Sequence, residues 1–208
     1  MTHGDDKGLI LPPKIAPIQI VIIPIYYDDV KKNEILAVID DIVAKLDSKN
    51  IRSYVDSSDQ HTPGWKFNQW EMKGVPIRIE IGPKDLEKNS LVIVKRNSRD
   101  KKNISINENP VNQIVKELDA MQDELFEIAK SKHDNMISGS TDYKELCERL
   151  NKERGFVKVD WCGNRNCEDK VKDETGADIR LIEGEKVDSV CIVCGKNATD
   201  SVYFAKSY

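Results

Sequence analysis

Two pairs of cysteines near the C-terminus are the clearest candidates for chemistry. Four residues lie between Cys162 and Cys167, two between Cys191 and Cys194, and 23 between the pairs. Zinc takes four thiolate ligands in a tetrahedron, and each pair's intervening turn can direct its sulfurs to one side of the metal. Such a closed site leaves no position for water, so the predicted zinc is structural. The alternatives are four reduced, partly buried thiols or a redox disulfide between Cys191 and Cys194.

The fifth cysteine and the three histidines predict no second site. Cys147 lies in an apolar helical pattern and is expected to be a buried apolar residue. His3, His61 and His133 are far apart along the chain, so the sequence predicts no histidine-based catalytic or metal site.

A second candidate is the stretch TPGWKFNQWEMKGVPIRIEIGPKD, residues 62–85, which mixes aromatic and charged side chains. Thr62 followed by Pro63 predicts a helix start. On that helix Phe67 and Trp70 share one face, with Glu71 at its margin. The other side chains fall on two further stripes, an apolar one of Trp65 and Met72 and a basic one of Lys66 and Lys73.

A helix that lies on a sheet needs only one aromatic face. We expect the second face, which carries Trp65 and Met72, to be buried under a neighbouring domain. The alternative is a platform on which nucleic-acid bases stack.

The strand that follows, VPIRIEIG at 75–82, alternates apolar and charged residues and is predicted to be half-buried. Arg78 and Glu80 share its polar face, where they could form a solvated charge pair of little energetic value. A second interpretation is recognition of bases, because Arg and Lys donate to guanine O6 and N7 while a carboxylate accepts from amino or imino groups. Glu71, Arg78 and Lys84 would then be the reading residues.

Composition limits the classes that are possible. The 208 residues are 39% hydrophobic and 33% charged, enough to bury a core. The net charge of −4 argues against a protein whose whole surface binds nucleic acid. Residues 61–102, however, carry ten basic and five acidic side chains, so a local basic face is possible. The apolar run at 18–25 is too short to span a bilayer, and no signal peptide precedes it. Without a signal peptide, the five cysteines are expected to be reduced thiols or metal ligands and not disulfides, which indicates a cytoplasmic protein.

The predicted elements form two domains after a linker. Residues 1–17, rich in proline, are expected to be a linker or a remnant of a preceding domain. Residues 18–134 predict the order β-α-β-α-β-β-β-α, hence a three-layer α/β domain with a mixed five-stranded sheet. Residues 135–208, which begin within a boundary segment at 133–142, predict a small α+β domain that holds the two cysteine pairs.

Three segments resemble one family, the archaeal and eukaryote-like prolyl-tRNA synthetases of class II. HGDDKGLILPPKIAPIQIVIIPI is similar to the end of the catalytic domain running into the anticodon-binding domain. The stretch at 62–85 resembles the anticodon-binding domain itself, and this is the most specific part. WCGNRNCEDKVKDETGADIR and CIVCGKNATDSVYFAKSY resemble the C-terminal zinc-binding domain. The resemblance covers nearly the whole chain.

The resemblance implies that the first domain recognises the two guanines that end the proline anticodon. The matching positions are Glu71, Arg78 and Lys84, with Phe67 packing or stacking nearby. It also implies that the terminal carboxylate of Tyr208 approaches the active site of the full enzyme, which ligates proline to its tRNA through prolyl-adenylate. ATP and magnesium belong to the catalytic domain, whose class II motifs are absent from this sequence, so the 208 residues alone are expected to be inactive.

The expected partners are tRNA for proline and the catalytic domain of the same protein, without a membrane. We expect the fragment to be a monomer and the full-length enzyme a homodimer. Two other classes stay open: a stand-alone RNA-binding module derived from a synthetase, and an unrelated zinc or thiol α/β protein. Class II motifs encoded upstream would exclude the first, and a reversible Cys191–Cys194 disulfide would support the second.

Overall fold

The computed structural model describes residues 3–152, 155–185 and 187–207. The chain divides into two compact units, Met1–Ala129 and Lys130–Tyr208. Within the described ranges, no helix combines the length and the apolar character that crossing a bilayer requires.

The first unit contains a hairpin and a mixed sheet. The strands of the hairpin are β1 (Gly4–Asp5) and β2 (Gly8–Leu9). The sheet strands are β3 (Ile20–Pro24), β4 (Ser53–Val55), β5 (Ile77–Ile81), β6 (Ser90–Lys95) and β7 (Lys101–Ser105). Their order is β4-β3-β5-β6-β7; β3 is parallel to β4 and β5, whereas β6 is antiparallel to β5 and β7. The predicted mixed five-stranded sheet is confirmed.

Helices cover both faces of this sheet. They are α1 (Asp29–Asp47), α2 (Pro63–Met72), the short α3 (Pro83–Glu87) and α4 (Pro110–Asn135). Apolar residues of α1 and α4 pack on one face against alternate residues of β3, β5 and β6. On the other face, Trp70 of α2 packs against Val21, Ile23 and Val75. The three-layer arrangement predicted from the sequence is therefore correct.

Local capping explains where the helices begin. The Asp28 side chain accepts from the backbone N–H of Lys31 and caps the start of α1. Thr62 caps α2 as predicted, and its hydroxyl accepts from the backbone N–H of Trp65. Two short elements were not predicted in this unit, α3 and the β1–β2 hairpin, because neither is long enough to show a period.

The second unit is a four-stranded sheet with two helices. Its elements are β8 (Ile137–Gly139), α5 (Tyr143–Lys152), β9 (Phe156–Trp161), α6 (Arg165–Thr175), β10 (Ala177–Ile182) and β11 (Asp200–Lys206). The strand order is β10-β11-β9-β8, with only the β8–β9 pair parallel. Phe204, Val202 and Val171 are fully buried in its core. Strand β8 falls in the stretch expected to be a boundary.

Candidate functional site

One face of the first sheet is only partly covered. The odd-numbered isoleucines of β5 face α1 and α4, so Arg78 and Glu80 point to the opposite side, where α2 lies. Across the sheet Arg78 is paired with Val94, and Val94 with Lys101. Lys101 at the β7 edge is exposed, whereas Trp70 covers the β3–β4 side. The face is thus covered by α2 over β3 and partly over β5, and it is open towards β7.

Arg78 is held between an aromatic ring and a carboxylate. Its guanidinium carbon lies 4.3 Å from the centre of the Phe67 ring. Its Nε donates to Glu80 Oε1 at 3.0 Å, and its Nη2 lies 2.8 Å from the same oxygen in an ion pair. Glu80 therefore occupies the Nε edge of the guanidinium, and the N–H groups of Nη1 remain for another acceptor.

The prediction of a half-buried β5 was wrong, and the Arg78–Glu80 pair is not the solvated charge pair that was one of its two interpretations. Glu80 is only 7% exposed. The reason is the position of β5 in the middle of the sheet, with β3 and β6 on either side and α2 on its polar face. A strictly alternating strand indicates one polar face, but it does not indicate whether a helix covers that face.

Glu71 lies in the last turn of α2, beside the same face. Its Oε1 accepts from Arg99 Nε at 2.9 Å, and its backbone carbonyl accepts from Arg96 Nε at 2.8 Å. Glu71, Arg78 and Lys101 line one cleft of about 220 Å³, together with Arg96 and Arg99. The sequence did not indicate the two arginines, which lie in and beside the β6–β7 turn.

Lys84 is placed apart from this cleft. It is exposed in the first turn of α3, just past the carboxyl end of β5, and does not line the cleft. The Asp85 carboxylate accepts from the Gly82 N–H at 2.8 Å and fixes this turn. The structure thus brings Glu71, Arg78 and Phe67 together, and leaves Lys84 at the neighbouring end of the strand.

Two side chains of α2, Trp65 and Lys66, can be compared with the stripes predicted for this helix, and the position of Lys66 differs. Trp65 is 46% exposed and stacks on His61 with ring centres 3.6 Å apart. Its expected burial under a neighbouring domain stays a prediction. Lys66, assigned to a basic stripe, is only 4% exposed, because its Nζ donates to the Asp56 backbone carbonyl at 2.8 Å and lies 3.2 Å from the Asp56 carboxylate.

The four predicted cysteine ligands converge in the second unit. The Sγ atoms of Cys162, Cys167, Cys191 and Cys194 all lie within 4.8 Å of one another. The Sγ of Cys162 is 3.7 Å from those of Cys167 and Cys194. Tetrahedral coordination at a zinc–sulfur distance of ~2.3 Å requires sulfurs about 3.8 Å apart, so the four thiols fit such an ion. One detail was wrong: Cys167 lies in the first turn of α6 and not in a loop.

The environments of these thiols differ. Burial raises the pKa of Cys167 to about 12. The backbone N–H of Lys196 lowers the pKa of exposed Cys194 to about 7. A metal ion binds thiolates, so loading the site must displace protons, most of all from the buried cysteine.

Two further assignments can be compared with the structure. Cys147 was expected to be buried, but it is partly exposed and its Sγ lies 3.7 Å from a Glu174 carboxylate oxygen. The buried residues of α5 are Leu146 and Leu150. Tyr208 lies outside the described residues.

Comparison with protein families defines the class of the first unit. A family model described as "Anticodon binding domain" matches residues 19–117, which include β3 to β7 and part of α4. The first unit is therefore an anticodon-binding domain of the kind found in aminoacyl-tRNA synthetases. A second model, "Prolyl-tRNA synthetase, C-terminal", matches residues 143–208 and includes all four cysteines of the cluster.

Individual relatives agree with both matches. Proline--tRNA ligase from Cenarchaeum symbiosum is 44% identical over the whole chain, and proline--tRNA ligase 2 from Clostridioides difficile is 41% identical. The solved prolyl-tRNA synthetase of Giardia lamblia, in complex with prolyl-adenylate, superposes with a TM-score of 0.89 at 33% identity. That of Cryptosporidium parvum, with L-proline and AMP, has a TM-score of 0.89 at 35% identity.

The chain belongs to the prolyl-tRNA synthetase family and corresponds to its C-terminal part. All of the chain is matched, but it spans only 43% of the length of the two curated relatives and 46% and 44% of the two solved chains. The sequence-based identification of the family is confirmed.

Proposed function

We propose that this chain selects the tRNA for proline by its anticodon and forms the C-terminal part of a prolyl-tRNA synthetase. The full-length protein would ligate proline to that tRNA with ATP, through prolyl-adenylate. The observation that carries the proposal is the continuous match of the whole chain to this family, combined with a cleft where Glu71 and Arg78 face the open side of the sheet.

The chemistry of the cleft supports base reading by Glu71 and Arg78. An anticodon loop presents unstacked bases with accessible edges. The N–H groups of Arg78 that are not bonded to Glu80 can donate to guanine O6 and N7, and Phe67 beneath the guanidinium restricts its rotation. Glu71 Oε2 has no partner among the described residues and can accept from a base amino or imino group.

Lys84 and Phe67 complete the proposed set in different roles. Lys84, exposed on α3, is free to reach a base or phosphate next to those that Arg78 reads. Phe67 packs against Arg78 and contributes to reading by holding it. Binding by the isolated chain should be weak and should fall steeply with salt, since contacts to the acceptor stem belong to another domain.

The second unit is proposed to be a structural zinc-binding domain. Four cysteine ligands close the coordination shell, so Cys162, Cys167, Cys191 and Cys194 would hold zinc without an open catalytic position. ATP, magnesium and the chemical steps are assigned to the catalytic domain of the longer protein, and the Tyr208 carboxylate to the vicinity of its active site. We place the protein in the cytoplasm, as a homodimer when full-length and a monomer as the present chain.

The test is binding of the chain to a proline-tRNA anticodon stem-loop at low salt, measured by fluorescence anisotropy. The discrimination is the ratio of this affinity to the affinity for the same loop with its second or third anticodon letter changed. We expect each change to weaken binding by about tenfold or more, the value of one bidentate base contact. Equal affinity for all loops would mean that the RNA is held only by non-specific attraction to the basic residues, and the site assignment would fail.

Arg78 is tested by two variants and a control. Arg78→Ala removes charge and donors, whereas Arg78→Lys keeps the charge but loses the planar fork. Both should abolish the discrimination at one letter. Lys49→Ala removes one exposed positive charge elsewhere and should lower the affinity for every loop equally. Discrimination that survives in Arg78→Ala would refute the site assignment.

A further inference from the structure

The carboxylate of Glu71 is held by a network that begins in the β1–β2 hairpin. Asp5 accepts from Arg96 through both Nη atoms, at 3.0 and 2.6 Å, and from Arg99 Nη2 at 2.8 Å. Arg99 Nε in turn donates to Glu71 Oε1 at 2.9 Å. Asp5 and Glu71 are therefore bridged by one guanidinium.

The buried member of the network fixes the hairpin to the end of α2. Arg96 is 4% exposed, and besides its paired contacts to Asp5 it donates from Nε to the backbone carbonyl of Glu71. The hairpin lies so close to α2 that a Cβ on Gly8 would be 2.4 Å from the carbonyl oxygen of Met72. Asp5 is thus presented to the arginines by rigid backbone and not by a mobile tail.

Arg99 depends on its two carboxylates for its orientation. It lies in the β6–β7 turn with a left-handed φ of 61°, and half of its side chain is exposed. A planar guanidinium that is bonded to carboxylates through both Nε and Nη2 has little rotational freedom. Without Asp5, Arg99 would keep only Glu71, and the pair could rotate together towards solvent.

We propose that Asp5 is a positioning residue for base reading by Glu71. Through Arg99 it engages Oε1 of Glu71 and leaves Oε2 directed at the cleft, so a carboxylate from the N-terminal hairpin determines how well an anticodon base is distinguished. This inference rests on the proposed function, because it assigns a role to the same site. It predicts that selectivity depends on a residue that touches no base.

The experiment compares Asp5→Asn with Asp6→Asn in the whole 208-residue chain. Asp6 is an exposed neighbour without an ion pair among the described residues, so both substitutions remove one negative charge. Affinities for the wild-type stem-loop and for loops changed at the second or third letter give a discrimination ratio for each letter. Both variants should bind the changed loops as well as the wild-type chain does, or better, since a negative charge beside RNA is lost.

Only Asp5→Asn should lower the discrimination ratio at one letter, by about fivefold, the value of one well-placed hydrogen bond. Arg99→Lys, which keeps the charge without the fork, should give the same loss. Asp5→Asn combined with Glu71→Gln should discriminate no worse than Glu71→Gln alone, because Asp5 acts through Glu71.

A loss of folded protein cannot imitate this result, because it weakens binding to all loops by the same factor and leaves the ratio unchanged. If Asp5→Asn and Asp6→Asn discriminate like the wild-type chain, or if Glu71→Gln itself leaves the ratio unchanged, the inference is overturned while the proposed function stands. If the wild-type chain does not discriminate, the proposed function fails, and the inference fails with it.

Discussion

Neutralising Asp56 should destabilise the first unit by several kcal/mol. The Asp56 carboxylate accepts from Trp70 Nε1 at 2.7 Å and lies 3.2 Å from Lys66 Nζ. The Lys66 and Asp56 side chains are only 5% and 13% exposed. Asp56→Asn keeps an oxygen that can accept from Trp70, but it leaves the buried ammonium of Lys66 without a counter-ion.

Removing one partner of a buried ion pair costs about 3–5 kcal/mol. Lys66 keeps its 2.8 Å hydrogen bond to the Asp56 backbone carbonyl, so we expect a cost near the lower limit, about 3 kcal/mol. For a unit of the size of Met1–Ala129 that corresponds to a fall in Tm of about 10 °C. Thermal unfolding followed by circular dichroism and tryptophan fluorescence measures it.

A control and a second substitution make this prediction specific. Asp40→Asn removes the same charge from an exposed position of α1 and should change Tm by no more than about 2 °C. Adding Lys66→Met to Asp56→Asn removes the unpaired ammonium and should recover about half of the loss. The reasoning is refuted if Asp56→Asn is as stable as Asp40→Asn, or if Lys66→Met lowers the Tm of Asp56→Asn further.

Other perturbations test the remaining contacts. Burial alone would raise the pKa of Asp56, but hydrogen bonds from Trp70 and Lys66 outweigh it and hold that pKa below its ordinary value. Its contribution is therefore complete above about pH 5 and is lost as the pH falls through the folded-state pKa, so the wild-type chain and Asp56→Asn should converge in Tm towards pH 2. A chelator, or Cys162→Ser, should melt the second unit in circular dichroism, whereas Cys147→Ser, outside the cluster, should leave both metal content and Tm unchanged. Gly8→Ala, at a φ of 130° against the backbone of α2, should cost about 2 kcal/mol or more in chemical denaturation, whereas a Gly64→Ala control, which meets no atom within 4 Å, should stabilise by about 0.5 kcal/mol.

Much of the fold could be predicted because the relevant signals are local. The apolar run at 18–25 corresponds to β3, the first strand of the predicted order, and the Thr62–Pro63 pair predicted the start of α2. Spacing alone grouped the four cysteines, because thiols with two or four residues between them can reach one ion from the same turn. The short elements α3 and β8 were missed because they are stabilised by neighbouring strands and loops and have no period of their own.

Periodicity and capping in the sequence alone indicated the layered α/β architecture, and spacing indicated the cysteine ligands, because these signals depend on residues close together in the chain. The family and the roles of the proposed reading residues came from the resemblance of three sequence segments. How those residues are held depends on contacts between distant parts of the chain. Asp5 reaches Arg96 and Arg99 across 91 and 94 positions, and Glu80 is buried because β5 is a central strand. Such contacts depend on which surfaces pack together, and patterns along the sequence do not show which surfaces these are.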